Sequence, residues 1–173
     1  MGLPSPFWAF AWAGGQALAR HVLDAREMVA GRRVLDLGAG SGVVAIAAAK
    51  AGAVPVVASD IDAYAEQAIA LNMAANRVYI EVLCGNLLDR RAAIEPRYDV
   101  ILVGDLFYER DTAAHALAFL EAHAATGSQV LIGDPGRSYL PKQRLRKCCE
   151  YSIAVARDLE DGDIRRTAVW ALV

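Results

Sequence analysis

The segment that most constrains the fold is Val34-Leu35-Asp36-Leu37-Gly38-Ala39-Gly40-Ser41-Gly42, where an apolar run meets an acid and then glycines spaced G-x-G-x-G. An alanine-rich stretch follows. That order predicts a strand entering a nucleotide-cradling loop and then a helix. Glycine belongs in such a loop because a side chain would hold the backbone away from a ligand and resists positive φ. A tight strand-to-helix turn without a ligand is the plainer alternative.

The spacing separates cofactor classes. A dinucleotide fingerprint reads G-x-G-x-x-G and sets a pyrophosphate on the helix N-terminus. Here the third glycine comes one residue early and Asp36 stands two residues before the first. A pyrophosphate would meet that carboxylate, whereas a cofactor with an amino-acid ammonium and no phosphate would not be repelled. A second acid follows, where Pro55-Val56-Val57-Ala58 runs into Ser59-Asp60-Ile61-Asp62. This lies roughly 20 residues past the glycines, where a nucleotide-binding sheet offers a carboxylate to ribose hydroxyls. Asp60, first at the strand end, is the preferred acid. Asp62 precedes an alanine-rich helical stretch and fits an N-cap.

The rest of the chain alternates, which predicts α/β architecture with a largely parallel sheet. After a helix over 16–25, strands are expected near 33–37, 55–59, 78–83, 98–103 and 128–133, with helices near 41–51, 63–75, 110–124 and 141–148. Two strand-like runs, Tyr151 to Leu159 and Arg165 to Leu172, flank the turn signal Glu160-Asp161-Gly162-Asp163 and predict a terminal antiparallel hairpin. The expected fold is a Rossmann-like, mostly parallel seven-strand sheet with that hairpin and helices on both faces. One domain spans residues 1–173, with residues 1–30 contributing an N-terminal helix region to the cofactor site.

Composition limits the function classes. The formal net charge is −2, with 22% charged and 55% apolar residues, so no global field favours nucleic acid. The local basic run Arg137, Lys142, Arg144, Arg146 and Lys147 reads as a solvated helix face. Cys148 and Cys149 are adjacent, Cys84 is remote and no C-x-x-C occurs. That pattern argues against a zinc site and for a reducing compartment. His115 and His123 are expected on a helix surface. The richest apolar stretch, Val43 to Ala49, falls well short of a membrane span. No signal peptide or myristoylation signal is visible, so a soluble intracellular chain is expected.

Ligand contacts should come from residues just past each strand. After the third stands Cys84-Gly85-Asn86-Leu87-Leu88-Asp89. Asn86 can pair with an adenine edge or serve as a plain turn residue. After the fourth, Gly104-Asp105-Leu106-Phe107-Tyr108 offers a carboxylate to an amine or ammonium, and a ring wall with a hydroxyl. The plainer alternatives are a helix cap for Asp105 and a packing aromatic for Tyr108.

D-x-G-x-G-x-G at Asp36–Gly42 resembles motif I of the seven-strand S-adenosylmethionine (SAM) methyltransferases, in which the acid belongs to the methionine end of the cofactor. D-x-x-Y at Asp105–Tyr108 resembles the signature of the seven-strand protein lysine methyltransferases. Two more blocks, Pro6 to Arg20 and Gly133-Asp134-Pro135-Gly136-Arg137, look like those of the electron transfer flavoprotein beta subunit lysine methyltransferase family. With Ser59-Asp60-Ile61-Asp62 these make five blocks, standing in the same order and spacing.

The resemblance implies SAM as cofactor, bound by Trp12, Gln16, Asp36, Gly38, Ala39, Gly40, Gly42, Asp60, Ile61, Asn86, Leu87 and Gly104. Core packing is the plainer role for the tryptophans, Trp8 above all. The resemblance further implies Asp105 and Tyr108 as catalytic residues, with Asp105 orienting amine and cofactor. The implied substrate is the set of recognition-loop lysines of the flavoprotein beta subunit, which acyl-CoA dehydrogenases and related enzymes engage. No nucleic-acid, membrane or metal partner is implied. The alternatives are methylation of another protein, such as a ribosomal protein, methylation of a small molecule, or a non-catalytic SAM-binding module. Family members usually carry extra residues before the segment corresponding to Pro6. Arginine outnumbering lysine and the lack of a presequence suggest a bacterial cytoplasmic protein. A truncated eukaryotic form would belong to the mitochondrial matrix.

Overall fold

Strands buried on both faces need helices on both faces, and the central strands here are of that kind. The structure is a computed structural model that describes residues 6–89, 97–156 and 162–173. Among these, the strands are β1 (Val34–Leu37), β2 (Val56–Asp60), β3 (Glu81–Cys84), β4 (Val100–Gly104), β5 (Gln129–Asp134), β6 (Leu145–Ala154) and β7 (Ile164–Leu172). The helices are α1 (Ala13–Asp24), α2 (Val43–Lys50), α3 (Ala63–Asn76) and α4 (Arg110–Ala125). The sheet order is β3-β2-β1-β4-β5-β7-β6. Strands β1 to β5 run parallel, while β7 is antiparallel to both β5 and β6. The expected seven-strand fold with its terminal hairpin is therefore the observed one. Chain direction across the sheet reverses between β1 and β4, and the crevice at their carboxyl ends is where such sheets bind ligands.

The period of two along each strand divides the core. Val34, Val56, Ala58, Val100, Leu102 and Leu131 face one side with Leu18 and Val22 of α1 and Ala45 and Ala48 of α2. Leu35, Val57, Ile101, Val103 and Ile132 face the other with Phe107 and with Leu120 of α4. Asp36 alternates with Leu35 and so points toward α2.

The helix expected over 141–148 is not formed. Residues Lys142–Arg144 make a short 3-10 turn, and Leu145 begins β6. Pairing with β7 along most of its length overrides local helical character. Of the basic run, Arg146 and Lys147 therefore lie on an edge strand, where, exposed, they hinder pairing with other chains. A bulge between Lys147 and Cys149 shifts the register. His123 is also not on the surface. It completes the inner stripe Ala113, Ala116, Leu120, His123 of α4, at spacings that bring these residues to one face. Its ring lies 4.4 Å from Phe119, and burial lowers its pKa. His115 is exposed, as expected.

Boundaries shift as well. Helix α1 starts at Ala13 and β3 at Glu81, both differing by three residues from expectation. The hairpin is present, but residues 160 and 161 of its expected turn lie outside the described residues. All three cysteines are free. Among the described residues, no helix is long and apolar enough to cross a membrane and no cluster of metal-binding side chains occurs.

Candidate active site

The glycine loop follows directly from β1. Gly38, Gly40 and Gly42 all have positive φ, at 71°, 53° and 86°, which other residues adopt only at a cost. The backbone N–H groups of Gly38 and Ala39 donate to the Ser59 carbonyl, at 2.9 and 3.0 Å. Gly40 N–H donates to Asp60 Oδ2 at 2.8 Å, and Asp62 N–H donates to Asp60 Oδ1 at 3.0 Å. Each oxygen of Asp60 thus keeps a further acceptor position, since a carboxylate accepts about four hydrogen bonds. Asp62 caps α3 by accepting from Tyr64 N–H at 2.8 Å, as its sequence position predicts. Ile61, 72% exposed, leaves an apolar side chain beside the acid.

Asp36 lies below this loop rather than along it. It is 1% exposed, and its Oδ2 accepts from Ala45 N–H at 2.8 Å. Gly42 at the N-cap of α2 has no side chain to cap with, so Asp36 supplies the missing acceptor to the first turn. Burial pushes its carboxyl up to about 7, and the charge of Asp60 adds to the shift.

Asp105 plays the same part for α1. Trp12 at that helix's N-cap makes no side-chain cap bond, and Asp105 Oδ2 instead accepts from Gly15 N–H at 2.8 Å. Its Oδ1 accepts from Arg137 Nε and Nη2 at 3.0 and 2.6 Å. The residue sits at φ 56°, in the left-handed region that aspartate tolerates better than most. Burial pushes its carboxyl up to about 6, against the opposing pull of Arg137. Both oxygens are engaged within the protein, and the N-cap position of α4 falls to Glu109, which makes no side-chain cap bond.

Close backbone approach explains why α1 enters on glycines. An added Cβ at Gly14 would lie 2.2 Å from the Gly133 carbonyl oxygen and 2.5 Å from Asp105 Oδ2. One at Gly133 would lie 2.1 Å from the Gly14 carbonyl oxygen, and one at Gly104 would lie 2.9 Å from Gly15 Cα. Gly104, expected at the cofactor, is thus covered by α1 on its side-chain side.

The segment before α1 crosses the glycine loop. A Cβ on Gly40 would come within 3.3 Å of the Trp8 carbonyl oxygen, and the Trp8 ring stacks on Tyr64 at 6.1 Å. Trp12 Nε1 donates to the Phe7 carbonyl at 2.8 Å. Phe7 lies 6.2 Å from the Trp12 ring and 6.1 Å from Tyr108. Tyr108, 51% exposed, stands at the mouth of this group, and burial of its remaining surface raises its hydroxyl pKa.

The structure therefore gathers Asp36, Gly38, Ala39, Gly40, Gly42 and Asp60 around one loop, with Trp12, Asp105 and Tyr108 alongside. It does not bring Gln16 there. That side chain donates to the Ala11 carbonyl at 2.6 Å and lines a separate cavity of about 230 Å³ with Phe10, Trp12 and Val155. Asn86 is exposed and accepts from Leu88 N–H at 3.0 Å, the geometry of a turn residue. Leu87 opens a short 3-10 turn and packs against the second core. Sequence reasoning missed Gly14, Gly133, Asp134 and Arg137 as site-building residues. Their only signal was membership of the two blocks carrying the resemblance.

The residues fit SAM. Asp60 retains acceptor capacity at the end of β2 for ribose hydroxyls, Ile61 offers an apolar surface to an adenine, and the loop's flanking acids suit a cationic cofactor better than a phosphate.

Comparison with known proteins agrees. The family model described as ribosomal protein L11 methyltransferase (PrmA) matches residues 17–106. The electron transfer flavoprotein beta subunit lysine methyltransferase of Mus musculus is 39% identical over 171 residues, covering 95% of this chain and 66% of that protein. Its counterpart in Xenopus laevis is 37% identical over 172 residues, covering 96% and 69%. The ribosomal protein L11 methyltransferase of Lactobacillus johnsonii is 34% identical over 140 residues, covering 79% and 42%. The chain spans about two thirds of the flavoprotein methyltransferases it matches. Among solved structures, the ribosomal protein L11 methylase of Lactobacillus delbrueckii subsp. bulgaricus shares the fold at TM-score 0.65 and 24% identity, over 94% of this chain and 80% of that one. With a family model matching more than half its length, the chain belongs to the PrmA-like family of class I SAM-dependent methyltransferases.

Proposed function

We propose that this chain is a SAM-dependent protein-lysine N-methyltransferase whose substrate is the beta subunit of electron transfer flavoprotein. The observation that carries this reading is the likeness to the flavoprotein methyltransferases along 95% of the chain, through both the Asp105–Tyr108 segment and the turn that ends at Arg137. Tyr108, half exposed at the mouth beside Phe7, is the residue of that segment placed to meet an incoming side chain.

SAM, when bound, supplies an electrophilic methyl carbon on a sulfonium. A lysine, with a reference pKa of about 10.4, must arrive neutral to attack it. Desolvation at the mouth favours the neutral amine, and Phe7 and Tyr108 provide apolar walls there. The Tyr108 hydroxyl stays protonated at neutral pH and can donate or accept one hydrogen bond to orient the amine. Asp105, whose oxygens are taken by Gly15 and Arg137, serves by holding the frame rather than as a base. Most of the acceleration then comes from alignment of reacting atoms about 3–3.5 Å apart.

The test is incubation with SAM and purified electron transfer flavoprotein, followed by mass measurement of each subunit. Mass added in multiples of a methyl group to lysines of the beta subunit is expected, with ribosomal protein L11 and RNA unlabelled in parallel reactions. Labelling of L11 alone would transfer the activity to the ribosomal substrate that the second group of relatives is named for. Labelling of RNA alone would reject a protein substrate.

A further inference from the structure

Arg137 sits where three parts of the site meet. The turn after β5 delivers it there. Asp134, buried at the end of β5, accepts through Oδ1 from the N–H groups of Gly136 and Arg137, at 2.6 and 2.7 Å. Gly136 takes φ 96°, so the chain reverses and the guanidinium returns across the strand ends. Two of its nitrogens donate to Asp105 Oδ1, while the other oxygen of that carboxylate holds the first turn of α1. The guanidinium carbon also lies 5.6 Å from the Trp12 ring centroid, within cation–π range. Trp12 in turn fixes Phe7 through its indole N–H. A planar fork with an open face makes both attachments with one rigid group, whereas an ammonium offers neither the two-nitrogen fork nor the stacking face.

We propose that Arg137 is a positioning residue of the cofactor site, which acts through Asp105 and Trp12 to hold the Phe7–Trp12 segment over the glycine loop. The proposal rests on the SAM-binding reading of the site and is independent of which protein is methylated. The contacts of the Arg137 guanidinium are with Asp105 and Trp12, and its role is exerted through them. Its loss frees the segment that covers Gly40 and leaves Asp105 without its counter-charge.

A purely structural role would lower stability and affinity together and leave the pH dependence of binding unchanged. A positioning role through Asp105 moves that dependence, because removal of the guanidinium shifts protonation of Asp105 to higher pH. The other groups facing this corner are Asp134 beside Asp105, Lys142 near Asp134, and Asp60, Glu109 and the Tyr108 hydroxyl along the mouth.

The experiment measures the SAM dissociation constant by calorimetry from pH 5.5 to 8.5, with the melting temperature of each SAM-free protein. Arg137→Gln is expected to weaken binding at least about tenfold at pH 7.5, the scale for a charge-assisted hydrogen bond, and to move the acid limb of the profile upward. Trp12→Leu should weaken binding with the acid limb in place. The double variant should fall short of the summed effects, since both act through one unit. Arg137→Lys keeps the charge and loses the fork, so it should bind with intermediate affinity. That variant also carries the test if Arg137→Gln does not fold. Wild-type affinity in Arg137→Lys, an unmoved acid limb in Arg137→Gln, or strict additivity in the double variant would each overturn the proposal. A wild-type protein that fails to bind SAM would remove the cofactor reading itself, whereas absence of flavoprotein methylation would leave the positioning role untouched.

Discussion

Three acids of this site occupy similar sequence positions, each at or near a strand end, yet they do different work. Asp60 keeps further acceptor capacity, while Asp36 and Asp105 are buried and each give one oxygen to a helix first turn. Asp60→Ala should therefore weaken SAM by roughly 1–3 kcal/mol, the cost of losing hydrogen bonds to a charged acceptor. Unchanged affinity by calorimetry would rule out the ribose role. Asp36→Asn should do something else. The amide oxygen can still accept from Ala45, and the burial of a charge is removed, so this variant should melt above the wild type at pH 8. With the folded carboxyl raised to about 7, the gap should be of the order of a few kcal/mol at most and should shrink as the pH falls toward 5. A lower melting temperature at pH 8 would mean that the ionised form is the one the fold needs. Tyr108→Phe keeps the ring and loses only the hydroxyl. It should leave SAM affinity nearly intact and reduce single-turnover methylation at saturating SAM and flavoprotein; an unchanged rate would make Tyr108 a packing aromatic. The sequence showed which acids stand at strand ends, because apolar runs end visibly. It did not show which way each carboxylate turns, because that depends on helices arriving from elsewhere in the chain.

At the scale of elements, the sequence was legible wherever a strand is buried on both faces. The runs around Val34, Val56 and Val100 are continuously apolar, so the parallel strands and the ligand-binding crevice at their ends both followed. It failed where tertiary pairing outweighs local preference. Residues 141–148 carry helix-compatible lysines and arginines, but from Leu145 onward the backbone pairs with β7, six residues before the expected strand start at Tyr151. The junction of α1 with β4 and β5 was likewise hidden, since a glycine packed against a backbone and a glycine cradling a ligand look alike in sequence. This junction makes a sharp comparison possible. Gly14→Ala would put a methyl group 2.2 Å from a carbonyl oxygen of the sheet, whereas at Gly15 the nearest heavy atoms are side-chain carbons of Val43 and Val44 at 3.5 and 3.8 Å. Gly14→Ala should cost about 3 kcal/mol or more, because backbone on both sides cannot yield as a side chain can. Gly15→Ala should change stability by less than about 1 kcal/mol, with helix propensity in its favour. Denaturant melts of both variants decide the matter; equal stability would mean that α1 is free to shift on the sheet.

For the whole molecule, the charges gathered at the carboxyl ends of β1, β4 and β5 set the response to pH. Asp36, Asp105 and Asp134 are all raised by burial, the first two to about 7 and about 6. A carboxyl whose folded pKa exceeds its unfolded value binds more protons in the native state, so its contribution to stability is full at low pH and lost as pH rises through the folded pKa. The window here runs from roughly pH 4 to 7. His21 and His123 act in the opposite sense, because burial lowers their pKa and stability from them is lost as pH falls. Asp36 and Asp105 are carried to about 7 and about 6, inside the range of these melts, so the melting temperature of the SAM-free protein should fall between pH 5.5 and 8. SAM reverses the balance. Its sulfonium and ammonium bring positive charge toward these carboxyls and favour their ionised forms, so the rise in melting temperature at fixed SAM should be larger at pH 8 than at pH 5.5. Thermal melts at both pH values, with and without SAM, measure all four states. If the SAM-induced rise is the same at both, the cofactor's charge does not sense the buried acids, and they serve only to cap the helices that frame the site.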